Sequence, residues 1–445
     1  MRIGSSVEDI LKTSLPAVVD LSAQTIMWTI EAILIGKISA AAFAGVGMAV
    51  QIVILFFAIL LTFIVGSSVI INRHLGAGQR WEANHILGQA LMLGIVMSIL
   101  VALLWFFGAP ILFKLIRENQ HVAQQSGIQY LHTLSYFAPF LITNFIAMGI
   151  IRAAGDTKIS MVLNLMINII NVTLTPVLIF GLFGFPRLEV KGAALATSIA
   201  HTIGFFATLY VLRSHRSRLF LSFRELTTPN LKSFKRLFKA GVPTTIEQLF
   251  WALGQMVITS YAAILGIIFL AVHQVLMRIQ AILTMFYMGF SLGAMTLVGQ
   301  NIGAEQHKEA ESVARVAGYV VFVVVLLVAG VLLIFSRPLI TLFTADPQVV
   351  AIGTKLIKLF AIIQIPKAVN AVVMGNLRGA GELKWLMWLA IMSVIFVESG
   401  LTWIAAFVLN LSLLGIWLMT GTDEIVRLVL NYWRFRGGKW KFINI

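Results

Sequence analysis

Long apolar runs alternate with short polar breaks along the whole chain, and twelve of the runs reach the roughly 20 residues a helix needs to cross a bilayer. They fall at 15–36, 43–71, 87–113, 125–150, 159–184, 190–212, 242–265, 268–298, 313–335, 348–374, 385–409 and 412–432. The polar breaks repeat. Arg152-Ala-Ala-Gly-Asp-Thr-Lys158 returns as Arg378-Gly-Ala-Gly-Glu-Leu-Lys384, an offset of 378 − 152 = 226. Leu15-Pro16 and Val242-Pro243, Leu75-Gly76-Ala77 and Ile302-Gly303-Ala304, and Pro139 and Pro366 keep a step of 227, and Gly192 and Gly415 one of 223. Motifs and element lengths that repeat together predict an all-α integral membrane protein of two copies of one fold. Residues 1–212 form an N-terminal lobe of six helices, 213–239 a linker, and 240–445 a C-terminal lobe. Six is even, so the seventh helix starts on the same side as the first. The repeats are then parallel, related by a pseudo-two-fold axis along the membrane normal, with a cleft between lobes that suits alternating access.

Composition agrees with this placement: 59% of residues are hydrophobic, 11% are charged and the mean hydropathy is +0.94, whereas soluble domains carry about 25% charged residues. The polar start from Met1 to Lys12 runs into the first span without a small-residue cleavage site, which predicts no removable signal. With no cysteine there are no disulfides and no thiolate metal sites. The net charge of +15 would suit nucleic acid, but its placement points to topology. Arg213, Arg216, Arg218, Arg224, Lys232, Lys235, Arg236 and Lys239 crowd the linker against the single acid Glu225. The positive-inside rule makes that side cytoplasmic, with both termini, and gives the linker anionic lipid headgroups as its contact rather than nucleic acid. The sequence contains no His-x-x-x-His, His-Glu-x-x-His or Walker glycine loop, so it predicts no enzyme, and transport driven by an ion gradient rather than ATP.

The motifs also point to a family. The duplicated Arg-(Ala/Gly)-Ala-Gly-(Asp/Glu)-x-Lys, Gly299-Gln300-Asn301-Ile302-Gly303-Ala304 with its counterpart Asn72-Arg73-His74-Leu75-Gly76-Ala77, the run Val190-Lys191-Gly192-Ala193-Ala194-Leu195-Ala196-Thr197, and Gly438-Lys439-Trp440 stand in order along nearly the whole chain. Together they resemble the multidrug and toxic compound extrusion (MATE) family. The resemblance implies a bacterial cytoplasmic (inner) membrane antiporter of the flippase-like superfamily. Such a protein exports drugs, typically amphipathic organic cations, in exchange for protons or sodium ions, with no other cofactor, and a monomer is expected. The alternative on the same fold is transport of an anionic metabolite, siderophore or lipid-linked precursor.

Ionisable groups inside hydrocarbon cost about 2.5–3.5 kcal/mol each on insertion scales and are usually functional. Glu31, in Trp28-Thr29-Ile30-Glu31-Ala32-Ile33-Leu34-Ile35-Gly36, stands where the family commonly has an Asp that binds a cation or proton. Burial favours the neutral carboxyl, which suits loading and release of protons. The family often reads Asn-x-x-x-Asp-Pro in the fifth helix, and here Asn171 remains while Thr175 replaces the acid before Pro176. Asn164, Asn168 and Asn171 share a helical face and could orient Glu31 or a cation, or serve as interhelical packing bonds. One carboxylate rather than two favours protons over sodium. Some family members carry a functional acid in the seventh helix where this chain has Trp251, one turn beyond Glu247, which leaves Glu247 as either a substrate-attracting acid or an interfacial one.

Lys367, where some members have an acid, lies 11 residues before Arg378, about 16 Å along a helix. Glu398, 14 residues beyond Lys384, lies at comparable depth, so a structural Lys367–Glu398 ion pair is expected; an unpaired Lys367 facing the cavity would favour anions instead. Gln51, Tyr136, Gln255, Met256, Phe286 and Tyr287, with Glu247, Trp251 and Lys367, are the candidates to line a drug cavity, where the flexibility of the 17 methionines would suit varied substrates. Asp20 reads as a helix-start acid, His273 and Arg278 as interfacial, Asp423, Glu424 and Arg427 as a local ion pair, and the repeated Arg–Lys loops as caps and headgroup anchors.

Overall fold

The computed structural model describes residues 3–114 and 121–443. Twelve long helices follow the apolar runs: α1 Ile3–Gly36, α2 Ala40–Gly76, α3 Arg80–Lys114, α4 His121–Ala153, α5 Thr157–Phe180, α6 Glu189–Arg213, α7 Leu231–Leu265, α8 Ile267–Gly303, α9 His307–Ile334, α10 Pro347–Gly379, α11 Leu383–Val408 and α12 Ser412–Arg436. A short helix, Ser336–Thr341, joins α9 to α10. Eleven of the twelve are long and apolar enough to cross a membrane. The exception is α12, which is 25 residues long but carries Asp423, Glu424 and Arg427. All three are buried and ion-paired inside the protein, so the helix does not present them to lipid.

Several helices outrun their apolar cores. α1 begins at Ile3 rather than near residue 15, and α7 at Leu231 rather than 242, because polar sequence outside hydrocarbon can still complete helical hydrogen bonds. α5 stops short at Phe180, where Gly181 takes φ +71, a left-handed turn that glycine makes without strain.

Two compact units divide the chain as Val19–Gly241 and as Met1–Val18 with Val242–Ile445. This differs from division at residues 212 and 240. In the first unit the basic segment is no free linker: Leu219 and Leu221 are buried, Phe220 N donates to Asn84 Oδ1 at 2.8 Å, and Gln89 Nε2 donates to the carbonyls of Glu225 and Thr228. The start of α1 belongs to the second unit because Ser14 and Val18 lie against Gly293 and Gly289, where a Cβ would collide with them.

Within the first unit α4 packs on α2, α3 and α6; within the second, α10 packs on α8, α9 and α12. Each helix number rises by six, so the packing repeats with the sequence. Backbone details repeat too. Gly155 and Gly381 take φ +98 and +87 in the paired Arg–Lys loops, and Gly78 and Glu305, 305 − 78 = 227 residues apart, take φ +73 and +60.

Candidate functional site

In the first unit, Glu31 is 7% exposed. Its Oε1 accepts hydrogen bonds from the Tyr130 hydroxyl at 3.0 Å and from Thr197 Oγ1 at 3.2 Å. Among the described residues no lysine or arginine pairs with it. Asn171 Nδ2 donates to Thr197 Oγ1 at 2.9 Å, and Thr175 Oγ1 donates to the Asn171 carbonyl at 2.7 Å. Asn171 therefore reaches Glu31 through Thr197, one hydrogen bond further out than direct contact, and Thr175 is one further still, while the buried Asn168 Nδ2 has no partner. Asn164 is drawn elsewhere, to Asp20. Tyr130 and Thr197, the two groups that touch Glu31, were not singled out in the sequence. Thr197 closes the Val190–Thr197 motif, which marks it only as part of a repeated string, and Tyr130 carried no signal.

Asp20 is fully buried rather than a helix-start acid. Its Oδ2 accepts from Arg152 Nε at 2.8 Å and Ser160 Oγ at 2.7 Å. The second unit repeats the arrangement, with Arg378 Nη2 2.5 Å from Glu247 Oε1. Glu247 is thus consumed by an ion pair and is not a free acid for substrate. The acids of the same loops bind outward: Asp156 accepts from Ser217 Oγ and Arg218 N, and Glu382 accepts from Arg434 Nε at 2.9 Å. The loops therefore join helices through ion pairs rather than merely capping them.

Lys367 does not pair with Glu398. Its ammonium lies 3.2 Å from Glu424 Oε1 and 6.0 Å from the centre of the Trp251 ring. Arg427 bridges Asp423 and Glu424 at 2.8 Å each, so the expected local pair on α12 is present and Lys367 extends it. Asn370 Nδ2 donates to Glu424 Oε2 at 3.2 Å, and Ser393 Oγ donates to Asp423 Oδ1. Depth alone suggested Glu398 for Lys367, but α12 supplies two acids one helix over.

The expected cavity residues separate into two kinds. Gln51, Tyr136, Met256 and Phe286 are exposed, and Trp251 and Gln255 half-buried. Tyr287 is in the core, donating to Gln364 Oε1 at 3.3 Å, and so is not a lining residue. His273 is likewise buried, near Thr259 and Trp417, whereas Arg278 is exposed.

Comparison with known proteins matches this architecture. The MatE family model matches the chain twice, over residues 16–177 and 243–404, an offset of 243 − 16 = 227. The Bacillus subtilis "Uncharacterized transporter YisQ" is 29% identical over 427 residues, covering 96% of this chain and 93% of that protein. The Thermotoga maritima "Probable multidrug resistance protein NorM" is 26% identical over 435 residues, covering 98% and 93%. Among solved structures, one described as the "outward-facing conformation of a multidrug resistance MATE family transporter of the MOP superfamily" superposes with a TM-score of 0.88 at 20% identity, covering 98% of this chain and 97% of that one. Both halves match the same model over corresponding helices, and the likeness extends along nearly the full length, so the chain belongs to the MatE family of membrane transporters.

Proposed function

We propose that the chain is a secondary active antiporter that exports amphipathic organic cations in exchange for protons by alternating access, with sodium as the other possible coupling ion. It would work as a monomer in a bacterial cytoplasmic membrane, with both termini inside and two six-helix repeats related by a pseudo-two-fold axis along the membrane normal. The observation that carries the coupling is Glu31: a carboxyl 7% exposed, held by two hydroxyls and by no base. A hydroxyl can donate to the carboxylate or rotate and accept from the carboxylic acid, so Tyr130 and Thr197 serve both states. Two hydroxyl donors and a single carboxylate offer a sodium ion little compensating charge, which favours the proton.

The twice-matched family model and the repeated packing support the repeat arrangement. The name of the Thermotoga maritima relative supports drug export. Anionic substrates were suggested by a free Lys367, and Lys367 is engaged by Glu424. The test is transport in vesicles driven separately by a pH jump and by a sodium jump, with chemically varied cations and anions. Export of cations on the pH jump, lost in Glu31→Gln, is expected. Wild-type export rates in Glu31→Gln would remove Glu31 from the mechanism.

A further inference from the structure

The second unit holds a buried charge imbalance that its ion pairs do not absorb. Lys367 on α10 and Arg427 on α12 supply two positive charges, and Asp423 and Glu424 on α12 with Glu398 on α11 supply three negative ones. Glu398 is 3% exposed. Its Oε2 is buried without a hydrogen-bond partner, and among the described residues no group donates to it. The nearby Glu247 on α7 is neutralised by Arg378 on α10, and His273 on α8 faces Thr259 and Trp417. With every group ionised the cluster has one excess negative charge, and an uncompensated buried anion is strongly unfavourable.

We propose that Glu398 carries a second exchangeable proton, in the C-terminal half and separate from Glu31. One proton brings the cluster to neutrality, and Glu398 is the acid that gives up least by accepting it. Asp423 would forfeit its ion pair with Arg427 and the hydrogen bond from Ser393, and Glu424 its ion pairs with Arg427 and Lys367 and the hydrogen bond from Asn370. The step balances simply: the carboxylate takes a proton from water on one side of the membrane and returns it to water on the other.

Two features of the backbone show that the position is built for the carboxyl. Gly254 on α7 faces it, and a Cβ there would overlap Glu398 Oε2, so the opposing helix omits a side chain to seat this group. Glu398 also lies in a π-helical stretch, Ser393–Leu401. Wider turns of this kind are often found at functional sites. The offset between copies is 226 at Lys158 and Lys384, at the start of this helix, and 223 at Gly192 and Gly415, just after it. Between those landmarks the counterpart of Glu398 falls within Val172–Thr175 of the first copy, where no residue is acidic.

The inference rests on the reading of the chain as proton-driven, and its test separates the two. Infrared difference spectra of the full-length protein in lipid would follow the carbonyl stretch of protonated carboxylic acids as pH is raised. Wild type is expected to lose two such signals, Glu398→Gln to lose only the one belonging to Glu31, and Glu31→Gln only the one belonging to Glu398. Glu398→Asp should retain a titrating signal at a shifted frequency, which guards against a misfolded glutamine variant. In vesicles, Glu398→Gln should halve the protons moved per substrate. A spectrum of Glu398→Gln identical to wild type, or a Glu398 signal that never titrates, would overturn the proposal. Loss of the Glu31 signal's link to transport while the Glu398 signal still titrates would count against the Glu31 reading alone.

Discussion

Arg427 holds the second unit's charge network together, and removing it should cost more than removing any other member. Its guanidinium is 8% exposed and forms two ion pairs at 2.8 Å, one with Asp423 and one with Glu424. A hydrogen bond to a charged group contributes about 1.5–3 kcal/mol, and breaking a buried pair from one side costs about 3–5 kcal/mol because it strands the partner. Arg427→Met strands two carboxylates with only Lys367 left to compensate, which places its cost near the upper end, about 5 kcal/mol. Lys367→Met removes one longer bond and leaves Glu424 with Arg427 and Asn370, so it should cost about 1.5–3 kcal/mol. Glu398→Gln breaks no bond and relieves the excess charge, so its effect should stay within about 1 kcal/mol. Unfolding of each variant in detergent, followed by fluorescence of the chain's 10 tryptophans, gives the ranking Arg427, then Lys367, then Glu398. A Lys367 variant as damaged as the Arg427 variant, or a Glu398 variant worse than both, would refute the pairing scheme. Folded Lys367→Met should also keep the wild-type substrate profile, since its charge is spent on Glu424 rather than on substrate.

Asp20→Asn and Glu247→Gln should destabilise similarly, by about 3 kcal/mol each, because each leaves a mostly buried arginine without its carboxylate; thermal unfolding of the two side by side is the check, and a large disparity would show that the paired positions have different roles. Glu305→Gly should raise stability by about 1 kcal/mol, since Glu305 takes φ +60 where the first copy has Gly78, and an unchanged melting temperature would show that this loop is not strained. His85→Ala removes contacts to Glu225 Oε2 at 2.6 Å and Ser233 Oγ at 3.1 Å, and should speed tryptic cleavage at Arg218 and Arg224 several-fold if those contacts hold the basic segment down.

The repeated motifs made the helix count and the duplication legible because a membrane helix must satisfy its backbone internally and expose apolar side chains, so its boundaries are written in composition. Glu31 was legible for the same reason: an acid in such a run is conspicuous. Its partners were not, because Tyr130 and Thr197 come from helices far along the chain, and a hydroxyl in a span costs too little to stand out. Asp20 was misread since distance from the start of an apolar run measures depth only if the helix begins there, and α1 begins a dozen residues earlier. Lys367 was given the wrong partner because depth fixes one coordinate, while the choice between α11 and α12 depends on which face of each helix turns inward. That face is set by packing.

What the two copies share and what they do not separates support from chemistry. The Asp20–Arg152 and Glu247–Arg378 pairs sit at offsets of 227 and 226, and both tie the first helix of a copy to the end of its fourth. A feature kept in both halves of a diverged duplication answers to something both halves need, which is to hold the helix before the Arg–Lys loop in place. Glu31 has Ile258 as its counterpart, and the offsets of 226 and 223 on either side of Glu398 place its counterpart within Val172–Thr175, none of them acidic. Neither acid is matched, so neither is required to build the repeat. A buried carboxyl that the fold does not need and no base neutralises must be maintained for another reason, and its capacity to gain and lose a proton is the property that its uncharged repeat counterpart lacks. On this argument neutral substitutions at Glu31 and Glu398 should leave folding intact and alter proton movement, whereas those at Asp20 and Glu247 should do the reverse. Expression and melting temperature, read beside proton flux for all four variants, decide it, and a fold lost at Glu31 or Glu398 would return those residues to the scaffold.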